Sequence, residues 1–163
     1  MKNSLFISLG IFLSLAASRF IPHPPNFTSL LALSFYVPVL LGVKYLPALL
    51  ISFAITDFII GYHTGAHWTW GSIFLIGLVA PLFAKNVISR ISGAILGACI
   101  FFIITNFGVW VSGMYEKSLE GIILCYALAI PFFAYSLIST LFFSTIIEIV
   151  YNFLKIKLKI LKS

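Results

Sequence analysis

Charge is scarce in this 163-residue sequence: 9% of residues are charged and only four are acidic, Asp57, Glu116, Glu120 and Glu148. With 61% hydrophobic residues gathered into long runs, the chain lacks the charged, mixed surface of a water-soluble domain. Cysteine is nearly absent as well. Cys99 and Cys125 lie inside apolar runs with no metal-ligand or disulfide spacing, so they read as small buried hydrophobes. There is no phosphate-binding glycine loop, no HExxH-like pair and no arrangement that supplies a serine or cysteine nucleophile. We therefore expect no enzyme, no cofactor and no ATP hydrolysis by the chain itself. Long polar stretches are missing too: the longest connection is about ten residues, in line with tight helix-helix loops. That leaves no room for a second, soluble domain, and residues 1–163 are expected to form one transmembrane domain.

What is present is a succession of apolar segments. They predict an all-α membrane protein of six transmembrane helices, at about 4–20, 27–43, 45–62, 69–84, 91–111 and 119–154, with a basic amphipathic tail at 155–163 lying on the lipid surface. In the first segment Gly10, Ser14 and Ser18 recur every fourth position, a small-residue stripe suited to close helix contact. Leu15-Ala16-Ala17-Ser18 looks like a leader-cleavage site, but the segment reads better as a retained helix. Pro22, Pro24 and Pro25 stop that helix and make residues 19–27, RFIPHPPNF, a stiff connection. Pro38 is expected to kink the second helix, and Pro47 falls in the tolerated first turn of the third. Gly93 and Gly97 give the fifth segment a second close-contact face. The last segment is too long for one upright span unless Pro131 breaks or tilts it.

The net charge of +6 would suggest nucleic acid in a soluble protein, but the cations sit at segment ends and act as orientation signals, so no nucleic-acid partner is expected. With six spans, Lys2, Lys44, Lys85, Arg90, Lys155, Lys157, Lys159 and Lys162 share one side, against Arg19 and Lys117 on the other. The bias puts both termini in the cytoplasm of a bacterial inner membrane. It also collects RFIPHPPNF, the end of residues 57–70 (DFIIGYHTGAHWTW) and residues 110–120 on the extracytoplasmic face.

Asp57 stands out, because a carboxylate at membrane depth is costly unless it is paired or wetted. It falls about 7 Å below the outer boundary at 1.5 Å rise per residue. It either contacts a ligand or pairs internally with Arg19 at similar depth, and both readings hold if ligand and arginine share the site. Gly61, one turn on, leaves room beside it. Asp57, His63 and His67 are a low-ranking alternative metal set, since Gly65 argues for a turn rather than a shared helix face. Asn106 either reads a ligand's polar edge or joins two helices. Trp68, Trp70, Trp110, Tyr62 and Tyr115 suit either a stacking wall or an interfacial aromatic belt. Glu116 and Glu120 read as solvated loop charges, and Glu148 as meeting a lysine at the interface or a partner subunit. Asn26-Phe27-Thr28 fits the glycosylation pattern by chance, abutting the membrane as it does. The substrate-binding set expected from these arguments is Arg19, His23, Asn26, Asp57, His63, His67, Asn106 and Trp110.

Two motifs, RFIPHPPNF and residues 105–133, TNFGVWVSGMYEKSLEGIILCYALAIPFF, resemble a family of uncharacterised small bacterial membrane proteins over nearly the whole chain. That family is similar to the substrate-binding S components of energy-coupling factor transporters, six-helix proteins of this size. The resemblance implies capture of a vitamin, a precursor or a metal ion from outside. Delivery would follow by reorientation within a complex containing a transmembrane coupling subunit and two cytoplasmic ATPases. Where many S components carry an alanine stripe on the first helix, this chain has Gly10, Ser14 and Ser18. The expectation is thus an S component capturing a vitamin-like solute, with the bilayer, that solute and an energising complex as partners. The alternatives are a structural subunit of a larger membrane complex and, below that, a metal-ion-binding transporter or an intramembrane metalloenzyme.

Overall fold

The computed structural model describes residues 2–62 and 65–160, and within them the fold is all-helical, without strands. The helices are α1 (Lys2–Phe20), α2 (Leu30–Leu40), α3 (Leu46–Ile60), α4 (Ala66–Val79), α5 (Val87–Val111) and α6 (Leu119–Ile160). Single 3-10 turns, Val43–Tyr45 and Ala80–Phe83, precede α3 and follow α4. Counting those turns, four helical stretches are long and apolar enough to cross a membrane: Val43–Ile60, Ala66–Phe83, Val87–Val111 and Leu119–Ile156. The apolar parts of α1, Ser4–Phe20, and of α2, Leu30–Leu40, are shorter. Only 17% of the apolar window of α6 is buried in the protein, and residues such as Leu128, Ile138, Phe142 and Ile149 point outward, as a lipid-facing surface requires.

The second helix is much shorter than the 27–43 expected. Its 11 residues rise only about 16 Å. Residues 27–29 stay outside it because their polar groups are engaged elsewhere. The Ser29 hydroxyl lies 2.8 Å from that of Ser18, and the Ser29 amide donates to the Ser18 hydroxyl at 3.1 Å. Asn26, at φ 61°, turns the chain inward, and its carbonyl accepts from Ser139 of α6 at 3.3 Å. Gly42, at φ 100°, ends the helix in a conformation that side chains disfavour. Pro38 lies inside α2, which continues to Leu40. Short as it is, α2 is the hub: it touches all five other helices, and all its residues but Leu33, Val39 and Leu40 are buried. One apolar cluster joins it to α1, α3 and α4 through Leu15, Leu46, Leu49 and Ile73; another joins it to α4 and α5 through Ile76, Ala94 and Ala98 and to α6 through Phe133 and Leu137. Lipid is as apolar as leucine, so close packing rather than escape from water holds these faces together.

Three boundaries differ from expectation for local reasons. Helix α4 begins at Ala66 rather than 69, the Trp68 amide closing a turn on the Gly65 carbonyl at 3.0 Å. Helix α5 begins at Val87 rather than 91, because the Asn86 side chain caps it by accepting from the Ser89 amide at 2.8 Å. Arg90, expected one residue before the fifth helix, therefore sits inside it. Helix α6 runs unbroken through Pro131 and on to Ile160, some 63 Å at 1.5 Å per residue, so residues 155–160 continue the helix beyond the stretch apolar enough to cross a membrane, which ends at Ile156. Residues 161–163 of the expected tail lie outside the described residues. Gly93 does form a close contact: a Cβ there would stand 2.6 Å from Phe35 and from Phe83. Gly10 does not, having nothing within 4 Å.

Candidate functional site

The end of α1 brings Arg19 against α3. Its guanidinium donates to Asp57 Oδ1 at 2.6 Å, to Thr56 Oγ1 at 2.7 Å and to the Phe53 carbonyl at 3.4 Å, and lies 4.6 Å over the Phe53 ring. A cation in the last turn of α1 also suits the negative end of that helix. The other oxygen of Asp57 accepts from the Trp70 indole at 2.7 Å, so α1, α3 and α4 meet on one carboxylate. The pair is nearly dry, with 13% of the Arg19 and 5% of the Asp57 side chain exposed. Breaking a buried pair of this kind costs about 3–5 kcal/mol, because it strands the remaining charge. Of the two readings of Asp57, the internal pair with Arg19 is present.

This pair forms one wall of a cavity of about 410 Å³. Gly61, with φ 137° and its amide on the Asp57 carbonyl at 2.9 Å, ends α3 beside the carboxylate and leaves open space there. The opposite walls are Phe101, Phe102, Thr105 and Asn106 of α5 and Ala129, Phe132, Phe133 and Ser136 of α6. Asn26, Thr28, Leu30 and Leu31 contribute from the α1–α2 connection and the start of α2, and Thr69 from α4. Exposed Asn26, Ile60 and Gly61 mark the rim.

Of the expected site residues, Arg19, Asn26, Asp57 and Asn106 are brought together here. His23 is exposed on the α1–α2 connection, its Nδ1 2.7 Å from the Pro24 carbonyl, and does not line the cavity. His67 is exposed in the first turn of α4 beside the Trp68 ring, and also lies off the lining. His63 lies outside the described residues. Trp110 forms no cavity wall; its indole donates to the Glu116 carbonyl at 3.0 Å and ties down the α5–α6 connection. Asn106 lines the cavity while donating to the Phe102 carbonyl at 2.8 Å, its own helix. No group of three His, Cys, Asp or Glu among the described residues is placed to hold a metal, and the partners of Asp57 are an arginine and a tryptophan.

Sequence reasoning missed Thr28, Thr69, Thr105, Ser136 and the four phenylalanines of α5 and α6. The hydroxyls carried a usable signal, since Thr105 adjoins Asn106 and Ser136 starts a polar series on α6. For Glu148 the expected cation is an arginine rather than a lysine among the described residues: the carboxylate takes Arg90 in a two-pronged pair and the Tyr36 hydroxyl at 3.0 Å.

These features define a helical membrane protein with an internal cavity walled by a buried ion pair. The chain belongs to DUF6580, a family of unknown function, whose sequence model matches residues 1–161. No curated protein and no solved structure matches it.

Proposed function

We propose that this protein is the solute-binding membrane subunit of an importer, of the S-component kind used by energy-coupling factor transporters. It captures a vitamin-like or other small solute from the extracytoplasmic side of a bacterial inner membrane. All six helices cross the bilayer in this reading, α2 with the help of the segment leading into it, and both termini are cytoplasmic. The observation that carries the reading is the 410 Å³ cavity, a volume typical of small-molecule sites, with aromatic walls and a few converging polar groups. The sequence has no nucleotide-binding loop, so energy for release comes from a coupling subunit and its cytoplasmic ATPases.

Native mass spectrometry of protein purified gently from its own membranes tests this. A small molecule that co-purifies with the wild type and is retained less by Asp57→Ala and Asn106→Ala supports the reading. An empty protein bound to a second membrane chain supports the other reading, a structural subunit. What favours that second reading is an open apolar groove of about 350 Å³ between α1, α2 and α6, lined by Ile7, Gly10, Ser14, Leu33, Leu40 and Ile147, which the described residues leave unfilled.

A further inference from the structure

The charged groups that line the cavity cancel each other. Arg19 and Asp57 are the only ionisable residues in its described lining, and each is committed to the other. Asp57 has one oxygen on Arg19 and one on Trp70, while Arg19 also serves Thr56 and the Phe53 carbonyl. Among the described residues an ionic ligand would find no free counter-charge in this space, and burying an unpaired ion there is strongly unfavourable. To recruit Arg19 or Asp57, such a ligand would have to break a buried pair and strand its other half.

The neutral groups have capacity to spare. The Asn106 amide spends one N–H on the Phe102 carbonyl, and its Oδ1 has no partner among the described residues. Thr105 and Ser136 donate to carbonyls of their own helices, at 2.8 and 3.1 Å, and keep lone pairs free. Thr28 accepts from the Leu30 amide at 3.4 Å and keeps its O–H. Between these polar points the wall is aromatic. Phe102 and Phe133 stack at 4.5 Å across the α5–α6 contact, with Phe53, Phe101 and Phe132 also in the lining. Flat apolar faces with hydrogen-bonding groups at their edges suit a planar ring with polar edge atoms better than a polyol, which is polar all round.

We infer that the cavity selects an uncharged planar ring compound, rejecting ionised relatives of the same shape because the Arg19–Asp57 pair leaves it no counter-charge. This rests on the solute-binding reading and adds the substrate class. It is tested by equilibrium dialysis of purified protein against matched probes of the same shape: nicotinamide with nicotinate, and benzamide with benzoate and with benzamidine. At least one neutral member is expected to bind tenfold or more tighter than its charged partner. In Asp57→Asn, which frees the Arg19 charge, the anionic partner is expected to gain tenfold or more. Thr69→Lys, which adds a cation to the wall outside the ion pair, should shift preference the same way if Asp57→Asn does not fold. A charged member that binds wild type as well as its neutral partner overturns the inference and leaves solute binding standing. If no probe binds, the molecule found by native mass spectrometry decides: an uncharged ring supports the inference, and an ion overturns it. No bound probe and no co-purified molecule overturns the solute-binding reading and this inference with it.

Discussion

Arg90 and Glu148 meet across α5 and α6 in a two-pronged ion pair, Nε to Oε1 at 2.6 Å and the second nitrogen to Oε2 at 2.7 Å, with 9% and 7% of the side chains exposed. The Tyr36 hydroxyl of α2 donates to the same carboxylate, and the Asn152 amide reaches it at 3.5 Å from one turn along α6. Three helices are thus pinned at one point. A second buried pair, Arg19–Asp57, pins α1 to α3 and, through Trp70, to α4. Helix α2 touches both groups of helices, so the bundle is held by two polar locks around one apolar hub.

Removing half of the first lock is expected to be severe. Glu148→Leu strands Arg90 and the Tyr36 hydroxyl in an apolar setting, and Arg90→Met strands the carboxylate, each with an expected loss of about 3–5 kcal/mol. Replacing both partners, as in Arg90→Met with Glu148→Leu, leaves no stranded charge and should recover most of that loss. Denaturant unfolding in detergent micelles, read as a double-mutant cycle, checks both. A purely additive result would show that the pair does not act as a unit.

Trp70 supplies the only indole bond to Asp57. Trp70→Phe keeps most of the ring and removes the donor, so Oδ2 loses a charge-assisted bond worth about 1.5–3 kcal/mol. Thermal unfolding in detergent should register that loss. Trp110→Phe, whose indole serves an exposed loop carbonyl, should cost under about 1 kcal/mol.

Much of the fold and part of the site could be read from the sequence, and the failures share a cause. Inside a membrane, core and lipid-facing residues are equally apolar, so hydropathy fixes that a helix exists but not which side it buries. Phe101, Phe102 and Phe133 line the cavity half-buried, yet nothing in their pattern separates them from exposed Phe107 or Phe142. Polar residues were easier to place: Asp57 and Arg19 were matched by depth alone. Arg90 was placed just outside the fifth helix because Asn86, with Ser89 three residues on, is a helix-start signal set between the cations Lys85 and Arg90. The brevity of α2 depends on the Ser18–Ser29 contact, between residues 11 positions apart in the chain, which no local propensity encodes.

The small-residue positions on different helices should behave differently. An added methyl at Gly108 would run into the Trp68 ring, a rigid neighbour, so Gly108→Ala is expected to destabilise by about 1–3 kcal/mol through overpacking. Gly10→Ala meets nothing within 4 Å and replaces a helix-interior glycine, so it should be neutral or stabilising by roughly 0.5–1 kcal/mol. Melting curves of the two variants in the same detergent give the comparison. Equal effects would mean that α4 and α5 do not approach as closely as Gly108 permits.

The final prediction separates the cavity from the histidines around it. Asn106 presents an acceptor to the cavity that has no partner among the described residues, so Asn106→Ala should weaken retention of a bound solute by about 3–10-fold, the worth of one neutral hydrogen bond. His23 and His67 are exposed and line no part of the cavity, so alanine at either position should change retention less than about twofold. Chelation with EDTA should leave retention unchanged, since Asp57 spends both oxygens on Arg19 and Trp70. Equilibrium dialysis of the co-purified solute measures all four. Loss of solute on chelation, together with sensitivity to His67→Ala, would instead put a metal between Asp57 and the histidines, and the Arg19–Asp57 pair would have to open to admit it.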